Sequence, residues 1–317
     1  MNRVHWLITL LVAAPGIACA QYPTKPIRLI VPFPPAGAAE LGARIYAQPL
    51  GQALGQPVVI DTRPGADGAI AADAVMKAAP DGYTLFYATN TAFSWVPAVR
   101  KNPPYDPLTD FTPVSLVGHF GFFLFSHPSI PVNSVAELIA HARANPGKLN
   151  YGTGNSFSML TSANFTMQQK LDIVHVPYKG DGPLSIDLLG GRVQMAFATP
   201  GTAVTHVKDG RLRALATLLP NRSPLFPDVP TAAEAGLAKA PIVAWGGLFG
   251  PARMPKEIVD RLAREMAALL PRPEIREAFG RLAFEPRSST PQELAVIVAE
   301  QLDAFKKAVR EAGIAQE

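Results

Sequence analysis

Short apolar runs and longer stretches with helical spacing alternate along the first 90 residues of the chain. Apolar runs at residues 26–31, 58–60 and 83–88 predict strands, and the stretches at 38–54 and 69–79 predict helices. Turns rich in glycine and proline separate these elements. The resulting β-α-β-α-β order is typical of a parallel sheet with right-handed crossovers and therefore predicts an α/β fold.

The same alternation restarts after a proline-rich connection at residues 97–113. Strand-like runs follow this connection at residues 114–117 and 122–125. The next strands are predicted at residues 149–151, 173–176, 193–198 and 212–217, and the helices between them at residues 135–144, 157–169, 184–189 and 203–208. This second set of alternating elements predicts a second α/β domain.

The C-terminal part of the chain is predicted to be mainly helical. Its elements are a short helix at residues 231–235, a strand at 245–249, and longer helices at 255–270, 273–282 and 290–311. Thr290 and Glu293 have the spacing of a helix capping box, as do Ser134 and Glu137 earlier in the chain. Because the C-terminal helices have no strand set of their own, we expect them to complete one of the earlier sheets.

We therefore expect two domains between which the chain crosses twice. Residues 21–120 and 243–317 would form the first domain, and residues 121–242 the second. The crossings would form a hinge near residues 118–121 and 245–250. Since clefts at domain junctions are common ligand sites, the cleft between the domains is the expected site.

The first twenty residues have the parts of a secretory signal peptide. Arg3 gives a positive start, residues 6–14 form a short apolar core, and residues 18–20 read Ala-Cys-Ala. We expect cleavage after Ala20, export to the periplasm, and loss of the single cysteine, Cys19. Lipidation of Cys19 and a retained membrane anchor are the alternatives. Without a thiol, the mature chain would have neither a disulfide nor a thiol nucleophile.

Charge and motifs argue against several functional classes. The chain has 29 Lys and Arg against 25 Asp and Glu, without the basic runs typical of nucleic-acid binding. It contains no G-x-S-x-G, S-x-x-K, P-loop or G-x-G-x-x-G motif, and its histidines do not stand at metal-ligand spacing. We therefore expect no catalytic residues, no cofactor, no metal site and no nucleic-acid partner.

Five loops that follow predicted strands are rich in small and hydroxyl residues. They lie at residues 33–40, 89–91, 152–158, 179–182 and 199–202. Ligands of open α/β sheets bind at the carboxyl ends of strands, and the N–H groups at a helix start suit a carboxylate. The same residue types are favoured in ordinary turns and helix caps, so one such loop alone is ambiguous. Several loops facing one cleft favour a carboxylate site.

Ten segments, in order over nearly the whole predicted mature chain, carry a resemblance to a known family. They are residues 22–35, 54–60, 63–66, 79–85, 104–107, 146–151, 174–180, 188–191, 213–216 and 227–231. Through these segments the chain resembles the Bug, or TctC, family of periplasmic solute-binding proteins of tripartite tricarboxylate transporters.

The resemblance implies a type II-like, two-domain Venus-flytrap protein without catalytic activity. Its ligand would be a small carboxylate (a di- or tricarboxylate, an aromatic acid or an amino acid) held partly through water. Its partners would be membrane transporter subunits that it meets transiently, and we expect a monomer. Carried over by position, the ligand-binding residues are Phe33, Ala36, Gly37, Ala38, Ala39, Glu40, Thr89, Asn90, Thr91, Thr153, Gly154, Asn155, Ser156, Ser158, Tyr178, Lys179, Thr199 and Pro200.

Some positions depart from the family pattern. Ala36 replaces a glycine, and Ala39 and Glu40 replace a Ser/Thr-Asp pair. Met159 replaces a histidine, and Ala198 an aspartate. The loss of polar groups favours a more apolar or aromatic ligand. Glu40 could repel an anion or bind the amino group of a zwitterion, but a carboxylate in a first helical turn also suits the helix dipole, which is the interpretation we prefer.

Two other functions stay open at the level of sequence. The protein could be a ligand-sensing subunit for a membrane partner, which sequence does not separate from a transporter subunit. It could also be an exported hydrolase on the same two-domain frame. The missing nucleophile–base signature argues against the hydrolase.

Overall fold

A computed structural model describes residues 22–35, 38–178, 180–201, 203–237 and 242–316. The predicted signal peptide, with Cys19, lies outside the described residues. Within them, the strands are β1 (Ile27–Val31), β2 (Val58–Thr62), β3 (Thr84–Thr89), β4 (Phe111–Phe120), β5 (Phe123–Ser126), β6 (Asn150–Thr153), β7 (Val174–Pro177), β8 (Met195–Ala198), β9 (Arg213–Thr217), β10 (Trp245–Pro251) and β11 (Phe284–Pro286). The α-helices are α1 (Ala38–Leu54), α2 (Ala69–Met76), α3 (Val96–Val99), α4 (Val135–Ala144), α5 (Ser156–Gln168), α6 (Asp181–Leu189), α7 (Ala203–Lys208), α8 (Lys256–Leu269), α9 (Pro273–Gly280) and α10 (Pro291–Glu311).

The strands form two sheets, each covered by helices on both faces. The first sheet has the order β11-β4-β10-β3-β1-β2, and the second has the order β7-β6-β8-β5-β9. β1 pairs in parallel with β2 and β3, as the β-α-β pattern predicts, whereas β10 runs antiparallel to β3 and β4. The C-terminal β10 and β11 therefore complete the first sheet. We call the two sheets with their helices the first and second lobes.

The apolar faces of the helices explain this layered arrangement. In the first lobe, α1, α8 and α9 pack on one face of the sheet, and α2 and α10 pack on the other. In the second lobe, α4 and α5 cover one face, and α6 and α7 cover the other. Phe157 and Leu160 of α5 also pack into the core of the first lobe. Helix α5 thus joins the apolar interiors of both lobes.

Helix ends match the capping signals with one difference. The Thr290 hydroxyl accepts from the Glu293 N–H, and the Glu293 carboxylate accepts from the Thr290 N–H, so this predicted capping box is complete. The Ser134 hydroxyl likewise accepts from the Glu137 N–H. The Glu137 carboxylate, however, accepts from the N–H of Asn133, so the second predicted box is only half formed.

Three sequence expectations about local structure are wrong. The segment at 231–235 is a single turn rather than a helix, because Gly236 adopts a positive φ of 76° and ends it. The predicted irregular connection at 97–113 is helical at its start, because its first residues belong to α3. A π-helical turn at Thr91–Trp95 leads directly into α3. The short strand β11 was not expected at all.

The chain crossings between the lobes run side by side. The Phe120 N–H of the first crossing donates to the Ala244 carbonyl of the second at 2.8 Å. Within the second lobe, the Leu218 N–H, directly after β9, donates to the Phe122 carbonyl at 2.8 Å. The hinge segment expected at residues 245–250 lies instead inside β10, which is buried along its whole length. The domain boundaries at residues 121 and 243 stay predictions.

Gly118 permits the close approach of β4 to β11 beside the first crossing. A Cβ at this position would overlap the Glu285 carbonyl oxygen and lie 2.9 Å from the Glu285 carbonyl carbon. We expect Gly118→Ala to lower the free energy of unfolding by about 1–3 kcal/mol, as overpacking does elsewhere. Urea denaturation followed by circular dichroism measures this change.

Gly280→Ala is the matched control for Gly118→Ala. A Cβ at Gly280 meets no atom within 4 Å, and alanine is favoured over glycine in a helix by about 0.5–1 kcal/mol. Equal stability of the two variants would show that β11 adapts to a side chain at residue 118.

Candidate ligand-binding site

A cavity of about 510 Å³ lies between the lobes. Its lining residues come from both lobes and from the crossings: Phe33, Pro34, Ala39, Thr89, Asn90, Thr91, Phe120, Phe122, Gly154, Asn155, Phe157, Gly180, Asp181, Gly182, Thr199 and Ala244. Most of them directly follow strands β1, β3, β6, β7 and β8. The cavity therefore occupies the strand-end position at which open α/β sheets bind ligands.

The first lobe brings polar groups without partners to this cavity. The Oγ1 of Thr89 and the Nδ2 of Asn90 are buried and have no hydrogen-bond partner among the described residues. The amide oxygen of Asn90 fixes the orientation of the side chain, because Oδ1 accepts from the backbone N–H of Trp245 at 3.3 Å. Buried polar groups are normally satisfied by protein, water or ligand. Asn90, which lines the cavity, therefore carries a buried donor whose partner the described residues do not supply.

On the second lobe, three donors at the start of α5 are engaged within the loop. The N–H groups of Gly154 and Asn155 donate to Ser158 Oγ, at 3.1 and 3.2 Å. The Ser158 N–H donates to Asn155 Oδ1 at 2.9 Å, which completes a capping box. These three N–H groups, which the sequence suggested for carboxylate binding, are thus engaged within the loop.

Asp181 brings a negative charge to the second-lobe wall. It is the first residue of α6, and its carboxylate is partly buried. Oδ1 accepts from Asn155 Nδ2 at 3.1 Å, and Oδ2 accepts from the Thr199 hydroxyl at 2.8 Å. Burial raises the pKa of Asp181, and the hydrogen bonds from Thr199 and Asn155 partly offset that rise. Among the described lining residues, Asp181 is the one ionisable side chain.

The sequence singled out the loop at 179–182 but not Asp181 as a site residue. The available signal was an acidic residue directly after a glycine at a helix start. That signal also describes an ordinary first-turn carboxylate, which the helix dipole favours.

The predicted site residues divide into three groups. Those that line the cavity are Phe33, Ala39, Thr89, Asn90, Thr91, Gly154, Asn155 and Thr199. Those that are described but are absent from its lining are Glu40, Thr153, Ser156, Ser158, Tyr178 and Pro200. Those outside the description are Ala36, Gly37 and Lys179, together with the side chain of Ala38.

Local contacts explain three members of the second group, Thr153, Ser158 and Tyr178. Thr153 Oγ1 is hydrogen-bonded to His175 Nε2 at 2.8 Å on the neighbouring strand. The Tyr178 hydroxyl donates to the Asp187 carboxylate at 2.8 Å. Ser158 caps α5 as described above. These three side chains therefore stabilise the loops around the cavity without lining it.

Glu40 lies in the first turn of α1 and forms an ion pair with Arg44 one turn later. Its side chain is only 1% exposed. The preferred interpretation of Glu40 as a first-turn helix carboxylate agrees with this position. Binding of a ligand amino group by Glu40 stays a prediction; Glu40 is absent from the described lining of the cavity.

Two further features of the described residues bear on the kind of protein. None of their helices combines the length and the apolar character needed to span a bilayer. They also contain no cluster of three or more His, Cys, Asp or Glu that could hold a metal ion.

Two α/β lobes, paired chain crossings and a mainly apolar cavity with a few polar groups between the lobes are the architecture of a two-lobed solute-binding protein. The family model described as "Tripartite tricarboxylate transporter family receptor" (TctC) matches residues 43–314. The chain belongs to this family. Its members are periplasmic solute-binding receptors rather than enzymes. The resemblance to the Bug/TctC family is therefore confirmed.

Relatives over the full length agree with this assignment. The chain is 35% identical to Protein BugT of Bordetella pertussis, over 99% of this chain and 98% of that protein. A solved structure of Rpa4515 of R. palustris with adipate has a TM-score of 0.81 and 34% identity, covering 93% of this chain and 99% of that chain. MatC (Rpa3494) of Rhodopseudomonas palustris with bound malate has a TM-score of 0.76 and 30% identity, covering 91% and 100%.

Proposed function

We propose that this protein captures a small carboxylate in the cavity between its lobes. The observation that carries the proposal is the buried Asn90 Nδ2, a donor without a partner among the described residues, at the lining of that cavity. A ligand carboxylate would supply the missing acceptor. Two similar proteins bind dicarboxylates, adipate and malate, which supports this ligand class.

Aromatic side chains suggest what the rest of the ligand is like. Phe33, Phe120, Phe122 and Phe157 contribute to the cavity lining, and the rings of Phe122 and Phe157 lie 4.5 Å apart. Apolar walls with a few placed polar groups are typical of small-molecule sites, and about 510 Å³ is an ordinary volume for one. The ligand we propose therefore has an apolar body in addition to its carboxylate.

Capture would proceed by closure of the lobes about their two adjacent crossings. A ligand shifts such an equilibrium only by the contacts that it makes better in the closed state. The cavity draws lining residues from both lobes, so one ligand can make contacts to each. The predicted domains, residues 21–120 with 243–317 and residues 121–242, would be the moving units, with the crossings near residues 120–122 and 242–244 as the hinge.

Membership of the family supports a proposal for the cellular role. We propose that residues 1–20 direct export, that cleavage follows Ala20, and that the protein acts in the periplasm as a monomer. It would then deliver its ligand to the membrane subunits of a tripartite tricarboxylate transporter. A sensor role, in which the closed form signals to a membrane partner, uses the same binding step.

A thermal-shift screen tests the proposed ligand class. We expect at least one mono-, di- or tricarboxylate, aromatic acid or amino acid to stabilise the purified protein. A ligand present at 100 times its Kd adds about 2.7 kcal/mol to the free energy of unfolding. The increase in melting temperature over a ligand-free sample is the measurement.

Neutral amides of the same acids serve as controls in this screen. They keep the shape of each ligand but remove the charge that the unpartnered donor would bind. If the amides stabilise as well as the acids do, or if no acid stabilises, the carboxylate proposal is wrong.

A further inference from the structure

We propose that Asp181 selects ligands that carry a cationic amino group as well as a carboxylate. The inference rests on the proposed function, because it assumes that the ligand occupies the cavity between the lobes. It narrows the ligand class from carboxylates in general to amino-bearing carboxylates such as amino-acid zwitterions.

The first argument is the charge of the cavity wall. Asp181 is the one ionisable side chain among the described lining residues, and no described cationic side chain forms an ion pair with it. A ligand with only negative charge would be repelled in a partly desolvated site, where charges interact more strongly than in water. A ligand ammonium group would instead be attracted.

The second argument is the hydrogen-bonding capacity that Asp181 retains. Asn155 Nδ2 and the Thr199 hydroxyl each donate to a different oxygen of the carboxylate. The Thr199 backbone N–H also hydrogen-bonds this carboxylate. An ionised carboxylate accepts about four hydrogen bonds, so these two neighbours fix its orientation and leave acceptor capacity for one more donor, such as a ligand ammonium group.

The third argument is the polarity of the two lobes. The first lobe presents Asn90 Nδ2 as an unpartnered donor, and the second lobe presents the Asp181 carboxylate. At the start of α5 the N–H groups of Gly154, Asn155 and Ser158 are engaged, while the buried Ser156 Oγ has no partner among the described residues. An anionic group can therefore pair with Asn90 on the first lobe while a cationic group pairs with Asp181 on the second. A zwitterion placed across the cavity satisfies both, and it would bias the lobes toward closure.

A purely structural role for Asp181 is the competing explanation. As the first residue of α6, it suits the helix dipole and it links the loops at Asn155 and Thr199. That role predicts effects on stability but no effect on the choice between ligands. The two explanations therefore differ in a measurable selectivity.

Isothermal titration calorimetry separates the two explanations by comparing acids that differ only in an amino group. The pairs are succinate and aspartate, glutarate and glutamate, adipate and 2-aminoadipate, and 3-phenylpropionate and phenylalanine. We expect the amino-bearing member of the pair that binds to have the higher affinity, by about tenfold or more. Asp181→Asn keeps the shape and one carbonyl acceptor but removes the charge, and we expect it to abolish or reverse that preference.

Asp187→Asn is the matched control. Asp187 lies on the same helix, accepts from Tyr178 and Arg192, and is absent from the described lining of the cavity. We expect Asp187→Asn to keep the wild-type preference for the amino-bearing ligand. The inference is overturned if the wild type prefers the acid without the amino group, binds both members equally, or keeps its preference in Asp181→Asn. The comparison of paired ligands on the wild-type protein remains a valid test even if a variant does not fold.

Failure of the proposed function gives a different result. If neither member of any pair binds to the wild type, and no other carboxylate does, both the proposed function and this inference are wrong. If acids without an amino group bind best, only the inference is wrong, and the carboxylate site stands.

Discussion

Phe93→Ala is expected to destabilise the first lobe strongly, because it removes the ring at the centre of a buried aromatic cluster. Phe93 is fully buried, and its ring contacts those of Phe111 and Phe249 at centroid distances of 4.7 Å. Phe86 and Trp245 lie next to it at 5.6 and 6.4 Å. Because so many rings meet at this side chain, its removal leaves a cavity that the rigid sheet cannot fill.

The expected loss in the free energy of unfolding is about 3–5 kcal/mol, the range for buried Phe→Ala changes. Guanidinium denaturation followed by tryptophan fluorescence measures it, since Trp245 lies in the same cluster. Where the denaturation curve shows two transitions, the one reported by Trp245, which lies in the first lobe, is the one to compare.

Val296→Ala is the control for Phe93→Ala. Val296 lies on α10 of the same lobe but is 56% exposed. Substitutions at such surface positions change stability by about 0.5 kcal/mol or less. If Phe93→Ala costs no more than Val296→Ala, the aromatic cluster does not hold the first lobe together.

The sequence predicted regular elements well where local signals agreed with tertiary packing. Helix α1 begins and ends at the expected residues, Ala38 and Leu54, because prolines precede it and Gly55 follows it with a φ of 78°. β11 escaped prediction since it is three residues long and is defined only by its pairing with β4. Such a strand has no pattern of its own to detect.

The candidate site was predictable as a set of strand-end loops but not as a set of contacts. The rule that ligands bind at the carboxyl ends of strands located the loops after β1, β3, β6 and β8. It could not show that Ser158 caps its own helix, or that Tyr178 turns to Asp187. Both outcomes depend on side-chain orientation.

Asp181 shows most directly what the sequence leaves out. Its partners Asn155 and Thr199 are 26 and 18 residues away along the chain. Only the folded arrangement of α5, α6 and β8 brings them together. The sequence alone does not distinguish Asp181 from a surface carboxylate at a helix start. For the same reason it did not separate the two interpretations of Glu40, a first-turn helix carboxylate and a ligand-binding carboxylate.

Gly154→Val is expected to abolish ligand binding while the fold survives. A Cβ at this position would overlap Asp181 Oδ1 and lie 2.8 Å from both Asp181 N and the Gly180 carbonyl carbon. Two of these atoms belong to the backbone, so the start of α6 must move away from α5. That movement breaks the contacts of Asp181 and widens the cavity at its second-lobe wall. Because a displacement of about 1 Å can undo a positioned site, we expect affinity to fall by about 100-fold or more.

The matched control for Gly154→Val is Gly190→Ala, at the other end of α6. A Cβ there has its nearest contact at 3.4 Å, with the Ile186 carbonyl oxygen, and Gly190 is absent from the described lining of the cavity. Titration calorimetry with the best ligand of the screen gives the affinities, and circular dichroism shows whether each variant is folded. Should Gly154→Val not fold, Thr199→Val removes the hydroxyl that holds Asp181 without adding volume to the α5–α6 contact, and it should weaken binding in the same direction. A folded Gly154→Val protein that retains wild-type affinity would place the ligand somewhere other than the cavity between the lobes, because a ligand in this cavity cannot avoid the displaced wall.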